Sequence, residues 1–205
     1  MMLGGRPWER WEDHVVVQQL EDAWGKEPRA ALRRAIKDLG DKFGCRSVLD
    51  VGCGVGIDCP ACVSAGMDYT GLDRTDGMLA AFERRNPGVR VLRGDVYGTG
   101  MPDGSFDAVL CSDVLIHVPY PETVLAELRR VCRKVLLLKL LYIAADRTRV
   151  TVDPNRGFFN IFYEPSHVVR MLKTVGFSEV EVRVVDAVDL ANQTDDPRQI
   201  YLAVR

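Results

Sequence analysis

The sequence predicts a doubly wound α/β domain: a mostly parallel seven-stranded sheet with an antiparallel last strand, preceded by a helical appendage. Three observations carry this. Short apolar, β-branched runs alternate with amphipathic segments from residue 47 to about residue 141. The first of those runs ends in the glycine loop Gly52-Cys53-Gly54-Val55-Gly56, and the last two apolar runs follow each other with no helical stretch between them. At 205 residues, 47% hydrophobic and 27% charged, the chain is sized for one domain with its own core, so disordered and fibrous classes fall away.

Taken in order, residues 10–20 and 28–43 read as helices, the second with Ala31, Leu32, Ala35, Ile36 and Leu39 at three- and four-residue spacing. Together they form the appendage, residues 1–44, and the main domain occupies 45–205. Residues 47–51 are a buried strand, 58–65 a helix, 69–72 a strand, 76–85 a helix and 89–93 a strand. The rhythm continues with a strand at 106–111, a helix at 121–132 opening on Pro121, and a strand at 135–141. Residues 165–175 form a helix that stops at Gly176. Val180, Val182 and Val184 then alternate with charged partners, residues 200–204 form a last strand, and these two are expected to pair antiparallel. Residues 142–163 read as a long irregular stretch with an aromatic cluster at 158–163, a length that usually serves function.

Charge excludes several partners. Twenty-seven basic against twenty-nine acidic residues give a net charge of -2, which supplies no positive field for nucleic acid or an anionic membrane. The longest apolar run, residues 135–145, spans 11 residues and contains Lys139, well short of a membrane span. The N-terminal stretch interleaves charged and aromatic residues where a secretion signal needs a continuous apolar one, so a cytoplasmic location is expected, with the six cysteines reduced. Arg129, Arg130, Arg133 and Lys134 read as a solvated helix end.

The glycine loop lets backbone approach a ligand closely and aims helix N-terminal amides at it, which implies a nucleotide-like ligand. A dinucleotide fingerprint needs a third glycine where Ile57 stands, so a nicotinamide cofactor is disfavoured. Asp73 lies 21 residues after Gly52 at a strand end, where a carboxylate accepts ribose hydroxyls or caps the helix that follows. Gly94-Asp95-Val96 ends the third strand, and Asp95 there is either a contact to a base edge or a turn residue. Three successive strand ends, carrying Asp50 with the glycines, Asp73 and Asp95, coincide with the place where open α/β sheets bind ligands.

Val48-Leu49-Asp50-Val51-Gly52-Cys53-Gly54-Val55-Gly56, Gly71-Leu72-Asp73, Gly94-Asp95-Val96 and Phe106-Asp107-Ala108-Val109-Leu110-Cys111 resemble the successive motifs of class I S-adenosylmethionine-dependent methyltransferases, whose fold is Rossmann-like. Met101-Pro102-Asp103-Gly104-Ser105-Phe106-Asp107 and Ile116-His117-Val118-Pro119 are similar to the small-molecule branch of that family, the methyltransferase type 11-like domains. The resemblance covers residues 46–141. It implies that Asp50, Gly52, Cys53, Gly54 and Gly56 surround the methionine part of S-adenosylmethionine and that Asp73, with Arg74 beside it, holds the ribose. It further implies that Met78, Asp95 and Val96 meet the adenine, and that Ser112 and Asp113 border the reactive methyl. An Asp/Asn-Pro-Pro-Tyr/Phe motif, typical of relatives that methylate amino groups of bases or glutamine, is replaced here by Ser112-Asp113-Val114-Leu115.

The expected reaction is methyl transfer to an O, N or C atom of a small molecule, with S-adenosylhomocysteine as product. An inactive cofactor-binding protein and, more remotely, a nicotinamide-dependent oxidoreductase are the alternatives. His117 and Asp113 are the candidate catalytic groups, although His117 equally serves as a hydrogen-bonding residue at a helix entry. Trp11, His14, Asn160 and Tyr163 are substrate candidates by position, the first two on an appendage expected to act as a lid. Cys59-Pro60-Ala61-Cys62 has the spacing of redox and zinc sites, but no further ligands accompany it; it is read as helix packing, and no metal is expected.

Overall fold

The computed structural model describes residues 15, 17, 18, 22, 30–140, 144, 146–152, 159–185 and 198–205. Helix α1 (Ala30–Asp41) buries Leu32, Ala35, Ile36 and Leu39, the stripe that the helical spacing marks out. Then follow β1 (Ser47–Val51), α2 (Cys59–Ser64), β2 (Asp68–Asp73), α3 (Asp76–Arg85), β3 (Arg90–Arg93) and β4 (Phe106–Ser112). A 3-10 turn (Leu115–His117) leads into α4 (Pro121–Val131) and β5 (Cys132–Leu140). The chain closes with β6 (Arg149–Val152), β7 (Phe159–Phe162), α5 (Pro165–Thr174), β8 (Glu179–Val185) and β9 (Arg198–Val204).

Seven strands form one sheet in the order β3-β2-β1-β4-β5-β9-β8. The pairings among β1 to β5 are parallel, whereas β9 runs antiparallel between β5 and β8. Alternation along the strands sends side chains to two cores. Leu49, Val51, Val109, Leu136 and Leu138 pack with α4 and α5 on one face. Val48, Ala108, Leu110, Val135 and Leu137 pack with α1 and α2 on the other. Strand order reverses between β1 and β4, and the crevice outside their carboxyl ends is where such sheets take ligands.

One expectation fails. The stretch read as irregular contains an antiparallel two-stranded sheet, with Arg149 paired to Phe162 and Val152 to Phe159. All four β6 residues are exposed, so its Arg-Val-Thr-Val alternation marks no buried face and spans only four residues. Strand β7 packs on the 3-10 turn that follows β4.

The loop between β3 and β4, which carries Asp95 and Val96, is pinned to α4 by one carboxylate. Glu127 Oε1 accepts hydrogen bonds from the Thr99 backbone N–H (2.8 Å) and hydroxyl (2.7 Å), and both Glu127 oxygens accept from Arg130. The Arg130 guanidinium, helped by Thr99 and opposed by burial, holds the Glu127 carboxyl down to about 2. A group whose folded value lies below its unfolded value near 4.5 stabilises the fold above that value and loses its contribution as pH falls toward 2. Glu127→Gln is therefore expected to lower stability at neutral pH by about 1 to 3 kcal/mol in urea unfolding, with the gap closing on acidification. A gap independent of pH would contradict this.

Candidate active site

Tight backbone curvature at the end of β1 builds the first wall. Gly52, Gly54 and Gly56 adopt φ of +73°, +52° and +76°, in the left-handed region open to glycine. The Gly52 and Cys53 amides donate to the Leu72 carbonyl at 2.7 and 3.1 Å, which ties the loop to the end of β2. A side chain at Gly52 would strike Val114, and one at Gly56 would strike Phe82 and Asn86 of the α3 region. The loop is thus packed between the post-β4 segment on one side and α3 on the other.

Asp73 joins the loop to the second strand end. Its Oδ2 accepts from the Gly54 N–H at 2.9 Å, and its Oδ1 accepts from the Thr75 N–H at 3.0 Å and hydroxyl at 2.9 Å. The carboxylate therefore helps organise the entry to α3, as a capping role requires, yet it is half-buried and fixed at both oxygens beside the glycine loop. Those oxygens keep lone pairs for a diol, which is the donor set a ribose presents. Asp50 is buried and accepts from the Tyr69 hydroxyl at 2.6 Å; burial and the Asp50 charge push that phenol well above its ordinary range, so it stays a donor.

At the third strand end Asp95 Oδ1 accepts from the Tyr97 N–H at 3.0 Å, while Oδ2 faces Arg74 at 3.4 Å. Asp95 is thus both a turn residue and a carboxylate oriented at the rim. Val96 is partly buried against the main core. Met78 is buried with Val55 of the glycine loop and with Val17, which packs on this wall. Trp11 and His14 lie outside the described residues.

Beyond β4 the backbone turns sharply at Asp113, the one non-glycine residue with positive φ (+60°) among those described. Its carboxylate Oδ2 pairs with the Lys139 ammonium, and its N–H donates to the Lys139 carbonyl at 3.0 Å. Ser112 Oγ and Asp113 Oδ1 are buried with no hydrogen-bond partner among the described residues. His117 is half-buried on the 3-10 turn, with its N–H donating to the Val114 carbonyl at 2.9 Å. Tyr163 is buried beneath that turn and donates its hydroxyl to the Leu115 carbonyl at 3.1 Å. Asn160 on β7 has a buried Oδ1 with no partner among the described residues.

Lys139 is the residue that sequence reading missed. Its only signal was a lysine inside an otherwise apolar strand, and its partner is 26 positions away. Cys59 and Cys62 are both buried; burial, with the charge of Asp50, pushes Cys59 up to about 11 and Cys62 well above its ordinary value. Such thiols stay protonated, and no metal-binding cluster occurs among the described residues. Replacing both with serine is expected to leave zinc content and S-adenosylhomocysteine affinity unchanged, and loss of bound zinc would contradict that reading. The basic helix end is internally paired, Arg130 with Asp103 and Arg133 with Asp107.

Sheet order, motif order and glycine loop define the class I S-adenosylmethionine-dependent methyltransferase fold. Residues 49–135 match the family described as methyltransferase domain. Ubiquinone biosynthesis O-methyltransferase of Methylococcus capsulatus is 36% identical over 93 residues, covering 43% of this chain and 39% of that protein. Phosphatidylethanolamine N-methyltransferase of Cereibacter sphaeroides is 30% identical over 135 residues, covering 63% and 62%. The chain thus spans less than two thirds of these relatives. Among solved structures, 1,6-didemethyltoxoflavin-N1-methyltransferase of Burkholderia thailandensis, with 1,6-didemethyltoxoflavin and S-adenosylhomocysteine bound, superposes with a TM-score of 0.76 at 20% identity over 98% of this chain and 91% of that one.

Proposed function

We propose that this protein transfers the methyl group of S-adenosylmethionine to an O, N or C atom of a small-molecule acceptor. The observation that carries the reading is the Asp73 carboxylate, bonded at once to the Gly54 and Thr75 amides at the carboxyl end of β2, beside the glycine loop. The residues present fit the cofactor: three left-handed glycines curve the backbone tightly at the end of β1, and a fixed carboxylate stands beside that loop. When bound, the cofactor supplies a methyl group already activated by its sulfonium, so the protein has chiefly to align and shield.

In this reading Asp50 and the backbone of Gly52, Cys53, Gly54 and Gly56 hold the methionine part, and Asp73 with Arg74 holds the ribose. Met78, Asp95 and Val96 receive the adenine, and Ser112 borders the methyl. Asp113 and His117 stand where an acceptor proton is received, with Asn160 and Tyr163 on the hairpin side. Within the appendage of residues 1–44, α1 packs on the sheet, and the role of a cover falls to the part that precedes it, which the packing of Val17 on Val55 and Met78 supports. No helix among the described residues is long and apolar enough to cross a membrane, and the balanced charge supports a cytoplasmic protein that does not bind nucleic acid.

The test is a turnover assay with S-adenosylmethionine across a library of small hydroxyl, amine and carbon nucleophiles, reading S-adenosylhomocysteine release. Acceptor-dependent release is expected. Tight S-adenosylhomocysteine binding with no release from any acceptor would instead mark a binding protein that has lost transfer.

A further inference from the structure

Lys139 is 3% exposed, in a strand whose neighbours from Val135 to Leu140 are all apolar. A buried ammonium is costly to desolvate, and an apolar residue of similar volume would serve the fold as well or better, so its place calls for a reason beyond packing. Lys139 sits in register with Ser112, the last residue of β4, and strand alternation puts it on the α1 and α2 face that Asp50 shares. Its ammonium grips Asp113 Oδ2 while its carbonyl grips the Asp113 N–H, so the carboxylate is fixed from both ends on a left-handed backbone.

That grip has a directional consequence. With Oδ2 committed to Lys139, Oδ1 and the Oγ of the preceding Ser112 are both buried, and neither atom has a hydrogen-bond partner among the described residues. Buried polar groups left unmet are costly and uncommon, which points to a ligand as their complement. Val114, the next residue, lies against Gly52 of the glycine loop, so Ser112 and Asp113 belong to the segment that flanks the loop assigned to the cofactor. A carboxylate oxygen only accepts hydrogen bonds, so its complement carries an O–H or N–H.

We propose that Lys139 is a positioning residue of the methyl-acceptor subsite, fixing Asp113 so that its free oxygen and Ser112 Oγ select an acceptor bearing an O–H or N–H donor. The inference rests on the methyl-transfer reading above and concerns recognition of the acceptor.

The test uses the intact protein saturated with S-adenosylhomocysteine and three ring-matched probes, phenol, aniline and toluene, with dissociation constants read by ligand-observed NMR. Phenol and aniline are expected to bind at least about tenfold tighter than toluene. Lys139→Met should bring phenol to within about threefold of toluene, Lys139→Arg should retain the preference, and S-adenosylhomocysteine affinity should stay within about threefold throughout. If Lys139→Met does not fold, Asp113→Asn carries the comparison, because asparagine tolerates the left-handed backbone, and it too should lose the preference. Equal binding of the three probes to the native protein would overturn the inference, as would undiminished phenol binding in folded Lys139→Met or Asp113→Asn. Failure of the native protein to bind S-adenosylhomocysteine would instead overturn the methyl-transfer reading.

Discussion

Gly54→Val is expected to raise the S-adenosylhomocysteine dissociation constant more than about a hundredfold, or roughly 2.7 kcal/mol, while the domain stays folded. Gly54 is buried with φ of +52°, a region that costs an ordinary residue about 1 to 2 kcal/mol and a β-branched one more. Relief of that strain would rotate the Gly54 N–H away from Asp73 Oδ2, now 2.9 Å distant, and so release the carboxylate as well. The valine side chain would also project from a loop whose neighbours already leave no room at Gly52 and Gly56. The residue lies between β1 and α2 and carries no core side chain, so thermal unfolding should remain cooperative. Native affinity in a folded variant would show that the loop is not the cofactor cradle.

Asp73→Ala is the second large effect. The substitution removes two acceptor oxygens that hold Gly54 and Thr75 and that are assigned to ribose, so the charge-assisted bonds are lost together with the local order. S-adenosylhomocysteine binding should weaken by about 1 to 3 kcal/mol, roughly 5- to 150-fold. Calorimetric titration measures it directly, and an unchanged affinity would remove Asp73 from the site. Because Asp73 also organises the entry to α3, a modest drop in melting temperature is expected to accompany the loss.

The elements that were legible in the sequence are those whose burial is one-sided or complete. Strand β1 reads as an apolar, β-branched run because it is paired on both sides, and α1 reads as a helix because one stripe is buried. The glycine loop, Asp73 and Asp95 were legible because each sits at a strand end within a few residues of a turn. Strand β6 was not, since a four-residue strand exposed on both faces carries an alternation too short to mark a buried face. Contacts between distant residues were hidden for a different reason. The Asp113 and Lys139 pair, like Glu127 holding Thr99 across 28 positions, depends on which strands and helices become neighbours, and that is settled by topology. Tyr163 was singled out for a substrate, and its hydroxyl is used by the Leu115 carbonyl, a bond that no local pattern announces.

Every role assigned to these residues depends on S-adenosylmethionine binding in the crevice outside β1, β2 and β3. Calorimetric titration of the native protein with S-adenosylhomocysteine and, separately, with NAD tests it most directly. Saturable one-to-one binding of S-adenosylhomocysteine with no heat from NAD is the predicted result. Binding of NAD without S-adenosylhomocysteine would contradict the account and return the glycine loop to a dinucleotide.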